Sequence, residues 1–173
     1  YIDFENVSEH VDRFVALLFD ETSDDDSPGP LASRQWFESW LHALLKDADP
    51  EQWIIALGSY GYDWTNGAHR AELISFSEAM SRASNAGMEP GAVAPPDHSS
   101  DFYYEDADKE HSVWFLDAIS FLNELHAVRD QKAGGLAIFR LGTEDPAIWQ
   151  ALSLPRQIQP NESVKKILEP LAS

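Results

Sequence analysis

Apolar runs that end in acidic residues recur along this chain, and they constrain its fold more than any other feature. The first is Tyr1–Glu5, and the others are Phe14–Phe19 before Asp20 and Glu21, Trp53–Leu57 leading to Tyr60–Asp63, and Gly135–Arg140 leading to Glu144 and Asp145. The Trp53 run shows no alternation of apolar and polar residues, which is typical of a strand buried on both faces. We therefore predict four strands that deliver polar groups to one end of a sheet.

Helical patterns separate these runs. Ser33 precedes apolar residues spaced by three and four, which predicts a capped helix that ends near Asp49 and Pro50. Further helices are predicted over residues 75–87 and 115–132. A helix followed by a buried strand occurs at residues 33–57 and again at 115–140. Such alternation predicts an α/β fold with a parallel sheet and right-handed crossovers.

Residues 88–114 depart from this pattern. A Pro-, Gly- and Ala-rich loop reaches residue 100, and two aromatic runs then flank the polar segment Ala107–Glu110. Turn residues between aromatic runs predict a small β-hairpin. We expect Tyr103, Tyr104 and Trp114 to pack this hairpin against the rest of the protein, and His111 to form a structural hydrogen bond.

Composition excludes several classes of function. Twelve basic and thirty acidic residues give a net charge of −18, and there is no cysteine. A charge of this sign repels phosphate backbones and anionic lipid, so we expect neither a nucleic-acid nor a membrane partner. Disulfides and thiolate metal sites are excluded, and the six histidines lack the spacing of metal ligands. The run Asp24–Asp26 is interpreted as a solvated loop, and we expect no metal and no cofactor.

Asp3 and Glu5 form the first candidate pair for acid/base chemistry. In an extended segment, residues i and i+2 share a face, so the two carboxylates would lie side by side. A charged neighbour raises the pKa of a carboxyl group and lets it hold a proton near neutral pH. Spacing alone favours the simpler interpretation, which is two solvated acids at the end of a strand.

Besides the ends of the predicted strands, two long and unusual strings of residues are informative: His111–Ala118 and Arg140–Pro146. With them the chain resembles glycoside hydrolase family 18, the chitinase-like (β/α)₈ barrels, over nearly all residues up to Trp149. It is most similar to bacterial spore-germination-hydrolase-like domains, including those fused to a polysaccharide deacetylase and a family-2 glycosyltransferase. Tyr1–Glu5 resembles the second half of the family signature Asp-x-x-Asp-x-Asp-x-Glu on the fourth strand. The other three runs resemble strands six, seven and eight.

The resemblance implies a partial or truncated (β/α)₈ TIM barrel. A complete barrel typically needs about 250 residues, and only residues 6–14 separate Glu5 from Val15, where the family has two helices and a strand. Strands one to three have no counterpart. We expect the barrel portion to cover residues 1–154, with the inserted hairpin region at about 88–114 and a linker or tail at 155–173, and we expect a piece of a longer protein.

The resemblance also assigns roles to residues. It implies that Glu5 is the general acid/base and that Asp3 orients the 2-acetamido group of the substrate, whose oxygen is the nucleophile in this retaining, substrate-assisted route. The sugar-binding residues that it implies are Phe19, Asp20, Tyr60, Phe139 and Arg140. Phe19 stands where the family usually has Tyr, and Phe139 where it usually has Trp. Asp20 and Glu21 remain open between site and loop entry, and Tyr60, Tyr62 and Trp64 between sugar stacking and core packing.

The resulting hypothesis is a glycosidase of the chitinase or N-acetylglucosaminidase type. Its expected partner is a polysaccharide that contains N-acetylglucosamine, such as chitin, peptidoglycan or an exopolysaccharide, together with other domains of a fusion protein. The resemblance further suggests export from the cytoplasm. The altered residues Phe19 and Phe139 make a non-catalytic glycan-binding module the alternative, and a structural fragment without a function of its own is the third interpretation.

Overall fold

A computed structural model describes residues 4–88, 91–92 and 99–153 of the chain. Its helices are α1 (Phe4–Ser8), α2 (Arg34–Leu45), α3 (Phe76–Asn85), α4 (Ala118–Asp130) and α5 (Ile148–Ser153), with a 3₁₀ turn at Pro50–Gln52. Its strands are β1 (Phe14–Leu17), β2 (Trp53–Gly58), β3 (Gly61–Thr65), β4 (Glu72–Ile74), β5 (Gly91–Ala92), β6 (Ser100–Asp106), β7 (Lys109–Phe115) and β8 (Gly135–Phe139). The predicted tail from residue 155 lies outside the described residues.

Three of the four predicted strands form one parallel sheet. Its order is β1-β2-β8, so the central strand is β2. Leu17 is in register with Ala56, and Gly58 is in register with Phe139. Because the strands are parallel, their carboxyl ends meet at one edge, where the sequence places Asp20, Tyr60 and Arg140.

Helices α2 and α4 cover this sheet. Ser33 caps α2 by accepting a hydrogen bond from the Trp36 N–H, as the sequence predicts. Asp117 caps α4, which begins three residues after the predicted start because Phe115 belongs to β7. The main hydrophobic core lies between these helices and β2, and its buried members include Phe37, Leu41, Leu45, Ile55, Leu57, Phe121, Leu122 and Leu125.

The predicted hairpin is confirmed and belongs to a larger antiparallel sheet. That sheet has the order β4-β3-β7-β6-β5 and therefore begins at residue 61, well before the predicted inserted region. The turn between β6 and β7 is Ala107-Asp108, with φ of 48° and 61°. Two successive left-handed residues are typical of the tight turns that suit the twist of a hairpin. Helix α3, which a capping box begins at Ser75, packs its buried Ala79 and Ala83 against this sheet.

Strand β2 passes directly into β3, so the two sheets are joined without a linker. Between Gly58 and Gly61 there are two residues, and the carbonyl oxygen of Tyr60 accepts a hydrogen bond of 3.0 Å from the Leu116 N–H. A Cβ atom on Gly61 would lie 2.8 Å from the carbonyl oxygen of Trp114. Only glycine fits this close approach of two backbones.

The prediction of a strand at the amino terminus is wrong for Phe4 and Glu5, because both belong to α1. The Phe4 ring lies 5.7 Å from that of Phe14 and 5.3 Å from that of Trp53, the first residues of β1 and β2. Helix α1 therefore lies at the amino end of the parallel sheet, where apolar ring contacts hold it. Asp3 is outside the described residues, so its position beside Glu5 stays a prediction.

The α/β class is confirmed, whereas the partial or truncated (β/α)₈ barrel stays a prediction. Strand β1 has β2 as its only partner within the described part of the chain. Its residues Val15 and Leu17 are 57% and 62% exposed. Among the described residues, no helix is both long enough and apolar enough to cross a bilayer.

We expect Glu124→Gln to stabilise the protein at neutral and alkaline pH. Glu124 is buried in α4, and neither carboxyl oxygen has a hydrogen-bond partner in the described structure. Burial, followed by the charge of Asp117, raises its pKa well above the ordinary 4.5. The folded state then holds a proton that the unfolded state releases, so stability present below pH 4.5 is lost as the pH rises.

The measurement is urea unfolding of the unaltered protein and of the Glu124→Gln variant, from below pH 4.5 to alkaline pH. Glutamine keeps the shape without the titration, so the variant should be about 1–3 kcal/mol more stable at high pH and about equal at low pH. An identical pH dependence in the two proteins would contradict this account of Glu124.

Candidate functional site

Asp20 is the centre of the candidate site. It follows β1 in a left-handed conformation with φ of 62°, which Asp tolerates better than most residues. Its Oδ1 accepts a short hydrogen bond from the Tyr60 hydroxyl and a second one, of 3.2 Å, from the Tyr62 hydroxyl. Asp20 itself is exposed at the carboxyl edge of the sheet.

Aromatic rings pack around Tyr60, one of the two residues that bind this carboxylate. The rings of Phe19 and Phe139 stack at 5.0 Å with an angle of 8° between their planes. Tyr60 meets both rings edge-on, at 6.0 and 6.1 Å. Phe19 is buried, whereas Phe139 is 44% exposed and presents apolar surface next to Tyr60.

Both tyrosines that bind Asp20 are held in the protonated form. Burial is the main cause, and the charge of Asp20 and the hydrogen bonds to it add to the effect. Together they raise the pKa of Tyr60 far above its ordinary value and that of Tyr62 to about 12. The hydroxyl groups are therefore stable donors that fix the orientation of the carboxylate.

Hydrogen bonds tie the loop after β8 to the end of β2. The Ser59 N–H donates to the carbonyl oxygen of Phe139 at 2.7 Å, and the Ser59 hydroxyl donates to that of Arg140 at 3.0 Å. The Thr143 hydroxyl lies 2.8 Å from the Ser59 carbonyl oxygen and 2.9 Å from that of Arg140. The peptide bond between Phe139 and Arg140 is cis. These contacts fix the backbone that carries Phe139.

Two other acids from the predicted strand ends have structural roles. Glu21 accepts hydrogen bonds from the backbone N–H and the hydroxyl of Ser33, and so anchors the start of α2. Asp145 is buried and accepts hydrogen bonds of 2.9 Å from the N–H groups of Ala118 and Ala147. Of the pair Asp20 and Glu21, the structure therefore assigns Glu21 to the loop and Asp20 to the candidate site.

The structure brings together Phe19, Asp20, Tyr60 and Phe139, as the sequence predicts. Arg140 follows Phe139 and is exposed. Helix α1, whose backbone includes Glu5, lies at the opposite end of the sheet from this group. Tyr62 belongs to the group through its bond to Asp20, and its spacing of two residues from Tyr60, which lies just before β3, was the signal for it.

The sequence analysis missed a second polar cluster, around Asp63. This carboxylate is buried in β3, binds the guanidinium of Arg82, and accepts a hydrogen bond of 2.7 Å from the Tyr104 hydroxyl. Nδ1 of His111 lies 2.9 Å from its Oδ1, which confirms the expected structural hydrogen bond of His111. No group of three potential metal ligands occurs in the described segments.

Comparison with known proteins supports the same assignment of fold. No protein-family model matches the chain. An uncharacterized glycosylase of Bacillus subtilis, YvbX, is 25% identical over 152 residues, which cover 87% of this chain and 44% of that protein. The spore cortex-lytic enzyme SleL of Bacillus cereus aligns with a TM-score of 0.78 at 22% identity, over 87% of this chain and 36% of SleL. A chitinase of Chromobacterium violaceum aligns with a TM-score of 0.76 at 26% identity, over 87% and 47% of the two chains.

These comparisons confirm the resemblance to chitinase-like proteins of glycoside hydrolase family 18, and the relatives are named as a glycosylase, a cortex-lytic enzyme and a chitinase. The chain spans less than half of the length of each of these three relatives.

Two substitutions of Asp20 should distinguish what its charge and what its backbone conformation contribute to the free energy of unfolding. Asp20→Asn keeps a residue that tolerates a positive φ but weakens the bonds from Tyr60 and Tyr62, so we expect a loss of about 1 kcal/mol in the free energy of unfolding. Asp20→Ala should cost about 1 kcal/mol more, because alanine is strained in the left-handed region.

Urea unfolding measures both losses, and the ultraviolet absorbance of tyrosinate provides a second readout. In Asp20→Asn the pKa of Tyr62 should fall from about 12 toward its ordinary value of 10.0 without reaching it, since burial remains. An unchanged tyrosine titration would contradict the assigned contact.

Proposed function

We propose that this chain is part of a glycoside hydrolase-like domain that acts on a polysaccharide containing N-acetylglucosamine, and that Asp20 lies in its sugar-binding site. One observation carries the proposal: an exposed aromatic ring, Phe139, packs against Tyr60, which together with Tyr62 binds the carboxylate of Asp20 at the carboxyl edge of a parallel sheet. The active sites of (β/α)₈ enzymes lie at that edge of the strands.

The chemistry of the site suits a pyranose sugar. The exposed face of Phe139 can stack on the apolar face of a sugar ring, as aromatic side chains do in sites that are partly wet. The second carboxyl oxygen of Asp20 can accept a hydrogen bond from an acetamido N–H or a hydroxyl group. The names of the relatives agree with this class of ligand, because they include a chitinase and an enzyme that acts on the spore cortex.

Catalysis by Glu5 remains part of the proposal, with Asp3 as the residue that orients the acetamido group in a retaining, substrate-assisted reaction. The position of α1 argues against this role, because α1 lies at the amino end of the sheet and Asp20 lies at the carboxyl end. A proton donor must come within hydrogen-bond reach of the bond that is cleaved. Catalysis through Glu5 would require residues 1–5 to reach the edge where Asp20 lies.

The position of α1 favours a second candidate function, a non-catalytic glycan-binding module of a polysaccharide-assembly protein. Phe19 supplies no hydroxyl group beside Asp20, and Phe139 offers a smaller surface than tryptophan. Both features retain sugar stacking and reduce the polar contacts available to a reacting group. Under both candidate functions, we propose that the parent protein is exported from the cytoplasm.

Hydrolysis and binding assays distinguish these functions. The chain and its Glu5→Gln, Asp20→Asn and Phe139→Ala variants are tested for release of chromophore from an aryl chitobioside and for calorimetric binding of N-acetylglucosamine oligomers. Asp20→Asn and Phe139→Ala should each weaken binding by about 1–2 kcal/mol, since each removes one direct contact. Asp47→Asn, on an exposed residue after α2, is the matched control and should bind normally.

The enzyme is supported if chromophore is released and Glu5→Gln abolishes the release. Binding without hydrolysis, unaffected by Glu5→Gln, supports the binding module. If neither chain nor variants bind the oligomers, or if Asp20→Asn binds as tightly as the unaltered chain, the proposed sugar site is wrong.

A further inference from the structure

The turn that follows β3 carries an asparagine directly before a glycine. Among the five asparagines of the chain, Asn66 is the only one with glycine as its next residue. The Ala68 N–H donates a hydrogen bond of 2.9 Å to the Thr65 carbonyl oxygen and closes the turn. Gly67, at its third position, has a φ of 83°, as type II turns require there. Asn66 and Gly67 are both exposed.

The backbone nitrogen of Gly67 is a free and accessible nucleophile. Its N–H donates to no carbonyl oxygen within the described residues. A Cβ atom on Gly67 would meet no atom beyond its chain neighbours within 4 Å, so this side of the turn is unshielded. The nitrogen can close a five-membered ring with the side-chain carbonyl carbon of the preceding asparagine, and glycine permits the backbone rotations that bring the two atoms together.

Two hydrogen bonds hold Asn66 against Glu110 of β7. The Asn66 N–H donates to the Glu110 carbonyl oxygen at 2.8 Å, and the Asn66 Nδ2 donates to the Glu110 Oε2 at 3.1 Å. The second bond joins two exposed side chains, so water replaces it at little cost. The side-chain amide can therefore leave Glu110 and turn toward the Gly67 nitrogen while the backbone bond stays in place.

The hairpin beside this turn is open to solvent and acidic. Tyr103 is 57% exposed, which corrects the expectation that it packs the hairpin, and Glu105 is exposed as well. Glu105 and Glu110 lie directly opposite each other on β6 and β7, a position in which like charges destabilise an antiparallel pair. No salt bridge found in the described part of the chain neutralises either glutamate. The amide of Asn66 is thus an uncharged donor at an acidic place.

We propose that Asn66 is a site of spontaneous deamidation. The Gly67 nitrogen gives up its proton to solvent and bonds to the side-chain carbonyl carbon of Asn66. The bond from that carbon to Nδ2 breaks, and Nδ2 leaves with a proton from solvent as ammonia. Water, the one co-reactant, then opens the cyclic imide at either of its two carbonyl carbons and yields aspartate or isoaspartate at this position.

The reaction reverses the polarity of the contact with Glu110. The donor Nδ2 is replaced by a carboxylate oxygen, so a further negative charge joins Glu105 and Glu110 at this end of the hairpin. Isoaspartate also lengthens the backbone by a methylene group, which displaces the N–H that binds the Glu110 carbonyl oxygen. The pairing of β3 with β7 therefore loosens at this end as the protein ages. The inference does not depend on the proposed function.

Peptide mass spectrometry tests the site. The folded chain is incubated in mildly alkaline buffer, which promotes loss of the Gly67 proton, and isoaspartate is identified by enzymatic methylation. Asn85 is the internal control, because it is also exposed but precedes Ala86 at the end of α3. Conversion should be about tenfold faster at Asn66 than at Asn85, which corresponds to about 1.4 kcal/mol in activation free energy. Asn66→Gln should show no conversion at this position over the same time, because glutamine would have to close a six-membered ring.

Equal rates at Asn66 and Asn85 would overturn the inference. Conversion of Asn66 in the urea-unfolded chain but not in the folded chain would also overturn it, because the native turn would then protect the asparagine.

Asn66→Asp reproduces one of the products and tests its consequence. Urea unfolding at neutral pH should give a lower midpoint for Asn66→Asp than for the unaltered chain. The shift should be smaller when both proteins also carry Glu110→Gln, since one of the repelling charges is then absent. Shifts of equal size in the two backgrounds, or no shift in either, would overturn the assigned effect on the hairpin.

Discussion

The crossing from β2 to β3 is the constraint on which both sheets depend. Within four residues the chain leaves the centre of a parallel sheet and enters an antiparallel one, and Gly61 allows the backbones of β3 and β7 to meet there. Tyr60 lies in this crossing, with its carbonyl oxygen bound to Leu116 and its hydroxyl bound to Asp20. The same short segment therefore joins the sheets and orients the carboxylate of the candidate site.

Much of the fold could be predicted because the local signals agreed with the tertiary structure. The strands of the parallel sheet are apolar runs, and the helices begin at Ser33, Ser75 and Asp117, whose side chains cap them. Prediction failed for Phe4 and Glu5, because a strand at this place would need neighbouring strands to pair with. Ring contacts of Phe4 with Phe14 and Trp53 determine the position of this segment instead. The antiparallel sheet was underestimated because β4 and β5 are too short, at 3 and 2 residues, to give a pattern.

The candidate site, like the fold, could be predicted from the sequence only in part. Asp20 and Tyr60 follow two of the parallel strands and Phe139 ends the third, and parallel strands bring such residues to one edge whatever the details of the loops. Asp63 could not be found in this way, since its partners Arg82, Tyr104 and His111 come from three separate elements and the sequence has no periodicity that links them. A buried carboxylate with several donors is recognised only when the donors are placed in space.

The hydrogen bonds of Ser59 and Thr143 have a consequence for the energetics of ligand capture. They fix the backbone after β8, the Thr143 carbonyl oxygen in turn accepts from the Phe76 N–H at 2.8 Å, and Asp145 joins the same loop to α4. The ring of Phe139 is thus presented from a preorganised support. A molecule that docks on it would lose little free energy to the ordering of the loop, so most of the contact energy would be available as affinity.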